Sequence, residues 1–89
     1  MNVSYMAHVS GKVQGVYFRA SSQQVAIEHG LSGYARNLTD GDVEVLICGE
    51  KQQVDKMLDW LAKGPPQAEV VNVEAKQVPW QEHHFFAIS

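Results

Sequence analysis

The run Val9-Ser10-Gly11-Lys12-Val13-Gln14-Gly15-Val16-Tyr17-Phe18-Arg19 carries a strand-like segment through a two-glycine turn into a helix-like one. Gly11 and Gly15 can take positive φ without a Cβ clash, so a short loop can curl until successive main-chain N–H groups face one anion. A helix opening at Phe18 adds its unpaired first-turn N–H groups and the positive end of its dipole. Arg19 supplies a planar, permanently charged fork that can grip two phosphate oxygens. Arginine in a first helical turn opposes the dipole, a conflict that a bound anion removes. The run lacks the Lys-Ser/Thr ending of a Walker loop and is not G-x-G-x-x-G, which argues against a nucleoside triphosphate or a dinucleotide. Taken alone, this spacing is more simply read as a plain glycine turn.

A second segment changes that balance: Gly33-Tyr34-Ala35-Arg36-Asn37, followed by Gly41, Val43 and Gly49. Together the two segments resemble the signatures of the acylphosphatase family, whose members hydrolyse the mixed anhydride between a carboxylate and a phosphate. Every defining position of both signatures is met between Val9 and Gly49, and the remaining length and element order fit the same family. The resemblance implies that Arg19 binds the phosphoryl group and that Asn37 positions the attacking water. It also implies that the turn from Gln14 through Gly15, Val16 and Tyr17 to Phe18 contributes the N–H cradle. Tyr17 stands where family members often carry a smaller residue, and Leu38 where some carry a hydroxyl; neither departure touches Arg19 or Asn37. Without the first segment, Asn37 reads as a turn-initiating side chain that caps its own backbone.

The implied chemistry needs neither a metal nor a cofactor. A carboxylate is a good leaving group near neutral pH, so no acid is required to protonate it. The barrier lies in bringing water to a charged phosphoryl group and stabilising its oxygens, which fixed donors and an orienting amide can do. No general base stands out, and a phosphoryl oxygen of the substrate is the expected proton acceptor. His29 lies ten residues beyond Arg19, about 15 Å along one helix at 1.5 Å per residue, and reads as a helix-end histidine. Glu82-His83-His84 has no second ligand pair and reads as an exposed tail, so no metal site is expected. Cys48 reads as a small buried group, Trp60 and Trp80 as packing or partly exposed residues, Asp40 and Asp42 as turn chemistry, and Lys12 and Arg36 as solvated charges.

These side chains must be positioned by short elements. Val3, Tyr5, Ala7 and Val9 alternate with Ser4, Met6, His8 and Ser10, the period of a half-buried strand. A helix is expected from Phe18 to His29, closed by Gly30, then a strand from Gly33 to Leu38 and a hairpin turn over Thr39-Asp40-Gly41-Asp42. A third strand, Val43 to Cys48, points Val43, Val45 and Ile47 one way and Glu44 the other. Glu50 to Lys63 reads as a helix with Val54, Met57, Leu58 and Leu61 on one stripe, acid in its first turn, Lys63 in its last, and Gly64-Pro65-Pro66 as its stop. Val70 to Gln77 gives a fourth strand, and Phe85-Phe86-Ala87-Ile88 a short fifth. The order βαββαβ with a tail strand predicts an α+β fold: a ferredoxin-like α/β sandwich, with an antiparallel sheet and two helices on one face. Both segments then reach one end of the sheet.

The 89 residues make one domain, 1–89, with room for a single core that buries about 60% of the unfolded chain's surface. A net charge of −3 argues against nucleic-acid and membrane partners, so any anion site is local, and a small acyl phosphate is the expected partner. One cysteine cannot form an internal disulfide, there is no spanning apolar run, and no signal-peptide pattern is seen; a cytoplasmic monomer is expected. The competing reading is a binding module of the same topology. An RNA-recognition version fails because Asp42-Val43-Glu44-Val45-Leu46-Ile47-Cys48 has no aromatic or basic residue, whereas an effector-binding version stays open, since an anion cradle binds as readily as it catalyses.

Overall fold

Alternation over the first dozen residues produces the longest strand, β1 (Asn2–Lys12), in the computed structural model, which describes Met1 to Ser89. It is followed by α1 (Phe18–Glu28), β2 (Ser32–Asn37), β3 (Val43–Glu50), α2 (Lys51–Leu61), β4 (Glu69–Val78) and β5 (Phe86–Ile88). The strands form one sheet in the order β4-β1-β3-β2-β5, the ferredoxin-like arrangement with a fifth strand added at one edge. β1 pairs antiparallel with β3 and β4, and β2 pairs antiparallel with β3. β5 pairs parallel with β2, so the sheet is mixed and not wholly antiparallel. The reason is connectivity: β4 and β5 occupy opposite edges, and the chain returns between them by crossing the sheet.

One face of the sheet carries the core. Val3, Ala7 and Val9 of β1, Val43, Val45 and Ile47 of β3 and Ala35 of β2 meet Phe18 and Ala26 of α1 and Val54, Met57 and Leu61 of α2. The α2 stripe stabilises this layer by roughly 1.5–3 kcal/mol for each fully buried large side chain. Phe18 also packs on Trp60, with ring centroids 5.7 Å apart. α2 starts one residue later and ends two residues earlier than the pattern suggests, so Glu50 is its N-cap, with no side-chain cap bond, and Lys63 lies beyond its end. The first turn therefore holds no acid and the last turn no base. The turn beyond is closed by the N–H groups of Lys63 and Gly64, which both donate to the Trp60 carbonyl.

The opposite face is covered at one end. Leu46 and Cys48 share Glu44's side of β3 yet are buried. They lie beneath the segment from Pro79 to Phe85, where the Gln81 N–H donates to Ser4 Oγ at 3.0 Å and the His83 ring stands edge-on to Tyr34. Ser4 in turn donates to Cys48 Sγ at 3.1 Å, and burial raises the Cys48 thiol pKa.

Candidate active site

The end of the sheet away from that crossing is where β1 and β2 finish. β1 shifts register against β4 between Ser10 and Gly11, and Gly11 sits at φ 119° with the Glu69 carbonyl oxygen 2.2 Å from where a Cβ would lie. Only glycine permits this bulge, which sends the chain off the sheet into the loop. Gly15 turns the loop at φ 75°. Tyr17 is then the N-cap of α1 in left-handed conformation, φ 62° and ψ 24°, with no side-chain cap bond. No main-chain N–H from Gln14 to Ala20 donates to an acceptor within the chain; the first helical bond is Ser21 N–H to the Tyr17 carbonyl at 2.9 Å. The result is a run of uncommitted donors at a helix N-terminus, the geometry suited to an anion.

Arg19 lies half-buried beside this loop, and its Nη1 donates to the main-chain oxygen of Ser89 at 2.6 Å. The tail that supplies this acceptor is held to β2 by Ser89 N–H bonding to the Ala35 carbonyl at 3.0 Å and to α1 by Gln23 Nε2 bonding to the Phe86 carbonyl at 2.7 Å. Asn37 ends β2 two residues past Ala35, exposed and with no side-chain hydrogen bond to the protein. The parallel pairing of β5 with β2 thus stitches the arginine's helix to the asparagine's strand.

A cavity of about 320 Å³ lies between them, lined by Val13, Gly15, Tyr17, Phe18, Arg19, Ala20, Asn37 and Ile88. Of the residues expected from the sequence, Gly15, Tyr17, Phe18, Arg19 and Asn37 come together here. Gln14 and Val16 do not line it. Val16 is buried in the core, and the Gln14 side chain faces the β2–β3 turn, where Nε2 donates to the Leu38 carbonyl at 2.8 Å and the Asp42 carbonyl at 2.9 Å. Val13 and Ala20 line it as sequence neighbours of the turn and of Arg19, whereas Ile88 and the Ser89 acceptor reach the site only through the fold. No carboxylate or imidazole lines the cavity.

The remaining candidates fall elsewhere. His29 caps the end of α1, its Nδ1 2.8 Å from the Val25 carbonyl oxygen. Glu82 and His84 are exposed and His83 is half-buried against Tyr34. Asp40 accepts from the Asp42 N–H at 2.9 Å, as turn chemistry requires. Arg36 is not simply solvated: its Nε bonds Glu44 Oε1 at 2.8 Å, and its guanidinium lies over the Tyr34 ring.

The acylphosphatase family model matches residues 5–88. An acylphosphatase of Colwellia psychrerythraea is 70% identical over 88 residues, covering 99% of each chain. Among solved structures, an acylphosphatase from Coxiella burnetii superposes with a TM-score of 0.96 at 40% identity, covering 99% of this chain and 93% of that one. An acylphosphatase from Bacillus subtilis gives 0.94 at 32% identity, covering 100% and 99%.

Proposed function

The chain belongs to the acylphosphatase family and is a hydrolase of acyl phosphates; from that premise we propose that the loop N–H groups and Arg19 bind the phosphoryl group while Asn37 orients the attacking water. The observation that carries this reading is the single cavity bordered by Gly15, Arg19 and Asn37, which arrive from the loop, α1 and β2.

The phosphoryl oxygens sit against the N–H groups of the Gln14–Phe18 turn and the first turn of α1, with the Arg19 fork on a second side. The Asn37 amide holds a water in line with the scissile bond. The water oxygen bonds to phosphorus as the bond from phosphorus to the carboxyl oxygen breaks, and the carboxylate leaves with that electron pair. One water proton passes to a phosphoryl oxygen of the substrate, giving inorganic phosphate. This route suits a cavity whose lining holds no carboxylate or imidazole, and whose main-chain donors are placed by the fold before the reaction begins. Asn37 cannot itself be the base at neutral pH.

The working form we propose is one domain, 1–89, acting as a cytoplasmic monomer without metal or cofactor. Cys48 is buried as a free thiol. No helix is long and apolar enough to cross a membrane.

The test is hydrolysis of acetyl and benzoyl phosphate beside a phosphate monoester, with and without excess chelator. Acyl phosphates turn over, monoesters are largely spared, and chelator has no effect. Replacing Asn37 by Ala lowers kcat by about 10²-fold or more, while inhibition by inorganic phosphate persists. Near-normal turnover in that variant would reduce Asn37 to a turn residue.

A further inference from the structure

His8 stands on the open face of β1, opposite Glu44 of β3 and Glu74 of β4 in register. Its Nε2 lies 2.5 Å from Asp42 Oδ2. Asp42 closes the turn that begins at Asn37, and it is held at three further points. Its carbonyl oxygen accepts the Leu38 N–H at 2.8 Å and Gln14 Nε2 at 2.9 Å, and its own N–H donates to Asp40 Oδ1 at 2.9 Å. The Leu38 carbonyl, next to Asn37, accepts from the same Gln14 amide. Asn37 has no side-chain bond of its own to the protein, so the main chain of this turn decides where its amide lies.

We infer that His8, acting through Asp42, is a positioning residue for Asn37. The inference rests on the water-orienting role given to Asn37 above. An imidazolium adds charge–charge attraction to the hydrogen bond that the neutral ring makes to the same carboxylate, so the tether on Asp42 is tightest when His8 carries its proton. The neutral ring can still donate from Nε2, and the turn loosens without coming apart.

The surroundings favour the charged form. From the turn, His8 faces Asp42 and Asp40, whose polar atoms lie with its own within 4.8 Å of one another; from β3 it faces Glu44, already paired with Arg36 of β2; from β4 it faces Glu74. Lys76 of β4 shares the cavity beside it and is the one further cation there. The hydrogen bond to Asp42 raises the His8 pKa, burial opposes it, and the charges of Asp42, Asp40 and Glu74 raise it further. That cavity, about 430 Å³ and open to solvent, lets the imidazole exchange its proton with water.

The experiment measures kcat, KM and phosphate inhibition for benzoyl phosphate from pH 5 to 9, with the His8 titration followed by NMR. The proteins are the parent, His8→Asn, His8→Lys, Asp42→Asn and Asn37→Ala. Parent kcat falls by about two- to fivefold along the His8 titration, a modest change in barrier. His8→Asn gives a pH-independent kcat near the parent's alkaline level, and His8→Lys keeps the higher level to pH 9. Asp42→Asn lowers the His8 midpoint and removes the falling limb. At each pH, KM and phosphate inhibition of the His8 and Asp42 variants stay close to the parent's, because the cradle is untouched. A parent-like falling limb in His8→Asn, or an effect confined to KM, overturns the inference while leaving the proposed mechanism standing. Full activity in Asn37→Ala overturns both.

Discussion

Tyr17 is the one residue other than glycine with positive φ, and it lines the cavity while three-quarters exposed. A side chain in this region costs about 1–2 kcal/mol, and glycine's greater freedom when unfolded returns roughly 0.5–1 kcal/mol of that. Tyr17→Gly therefore raises stability by up to about 1.5 kcal/mol, while the β-branched Tyr17→Val lowers it; chemical denaturation of the two variants checks the sign. Arg19 poses a similar balance. Its removal relieves a cation at a helix N-terminus, worth about 0.3–1 kcal/mol, but it also loses the 2.6 Å bond to Ser89, worth about 1 kcal/mol. The sequence alone suggests that Arg19→Ala leaves stability unchanged or slightly improved; with its acceptor identified, the two terms nearly cancel or tip toward a small loss. Binding is the sharper readout. Inorganic phosphate at a hundredfold excess over Kd adds about 2.7 kcal/mol to the parent, a rise in Tm that Arg19→Ala loses and Arg19→Lys recovers little of. A phosphate-dependent rise retained in both variants would remove Arg19 from the site.

At the scale of elements, the end of β1 and the loop beyond it depend on two glycines for different reasons. A Cβ at Gly11 meets the Glu69 carbonyl oxygen and the Val71 nitrogen of β4, so Gly11→Ala must push two strands apart. A Cβ at Gly15 meets nothing within 4 Å, and only its positive φ resists substitution. Gly15→Ala should therefore cost about 1 kcal/mol and Gly11→Ala clearly more, with equal losses ruling out the bulge as the cause. The β2–β3 turn is the other positioning element. Gln14 reaches across from the loop between β1 and α1 and clips it at two carbonyls, so that loop and the turn beyond Asn37 share one side chain as a brace.

Across the whole molecule, the open face carries a row of charge in register over four strands: Arg36, Glu44, His8 and Glu74. Signs alternate along it once His8 is protonated. Because the folded-state pKa of His8 is raised, its contribution to stability is fully present below the unfolded value of about 6.5 and is lost as pH rises through the folded value. Thermal unfolding of parent and His8→Asn should differ most at pH 5–6 and converge above the folded pKa. Added salt should shrink the difference, since the side chain is partly exposed. A gap that stays constant with pH would assign it to packing.

The sequence by itself determined the elements and the family. Period-two alternation marks β1, the Val54-Met57-Leu61 stripe marks α2, and glycines at the turns mark where the chain must bend; all three follow from local sterics and burial. The two signature segments likewise carry the family resemblance, and the roles proposed for Arg19 and Asn37 rest on that resemblance. Tertiary structure alone decided how these are held. Tyr17 gives no local sign of left-handed backbone, since neither its side chain nor its neighbours favour it. The parallel edge pairing of β5, the Ser89 acceptor for Arg19, the Gln14 brace and the His8–Asp42 bond all join residues at least 24 positions apart. Such contacts depend on which strand edge remains free and on register across the sheet, and no window along the chain contains that information.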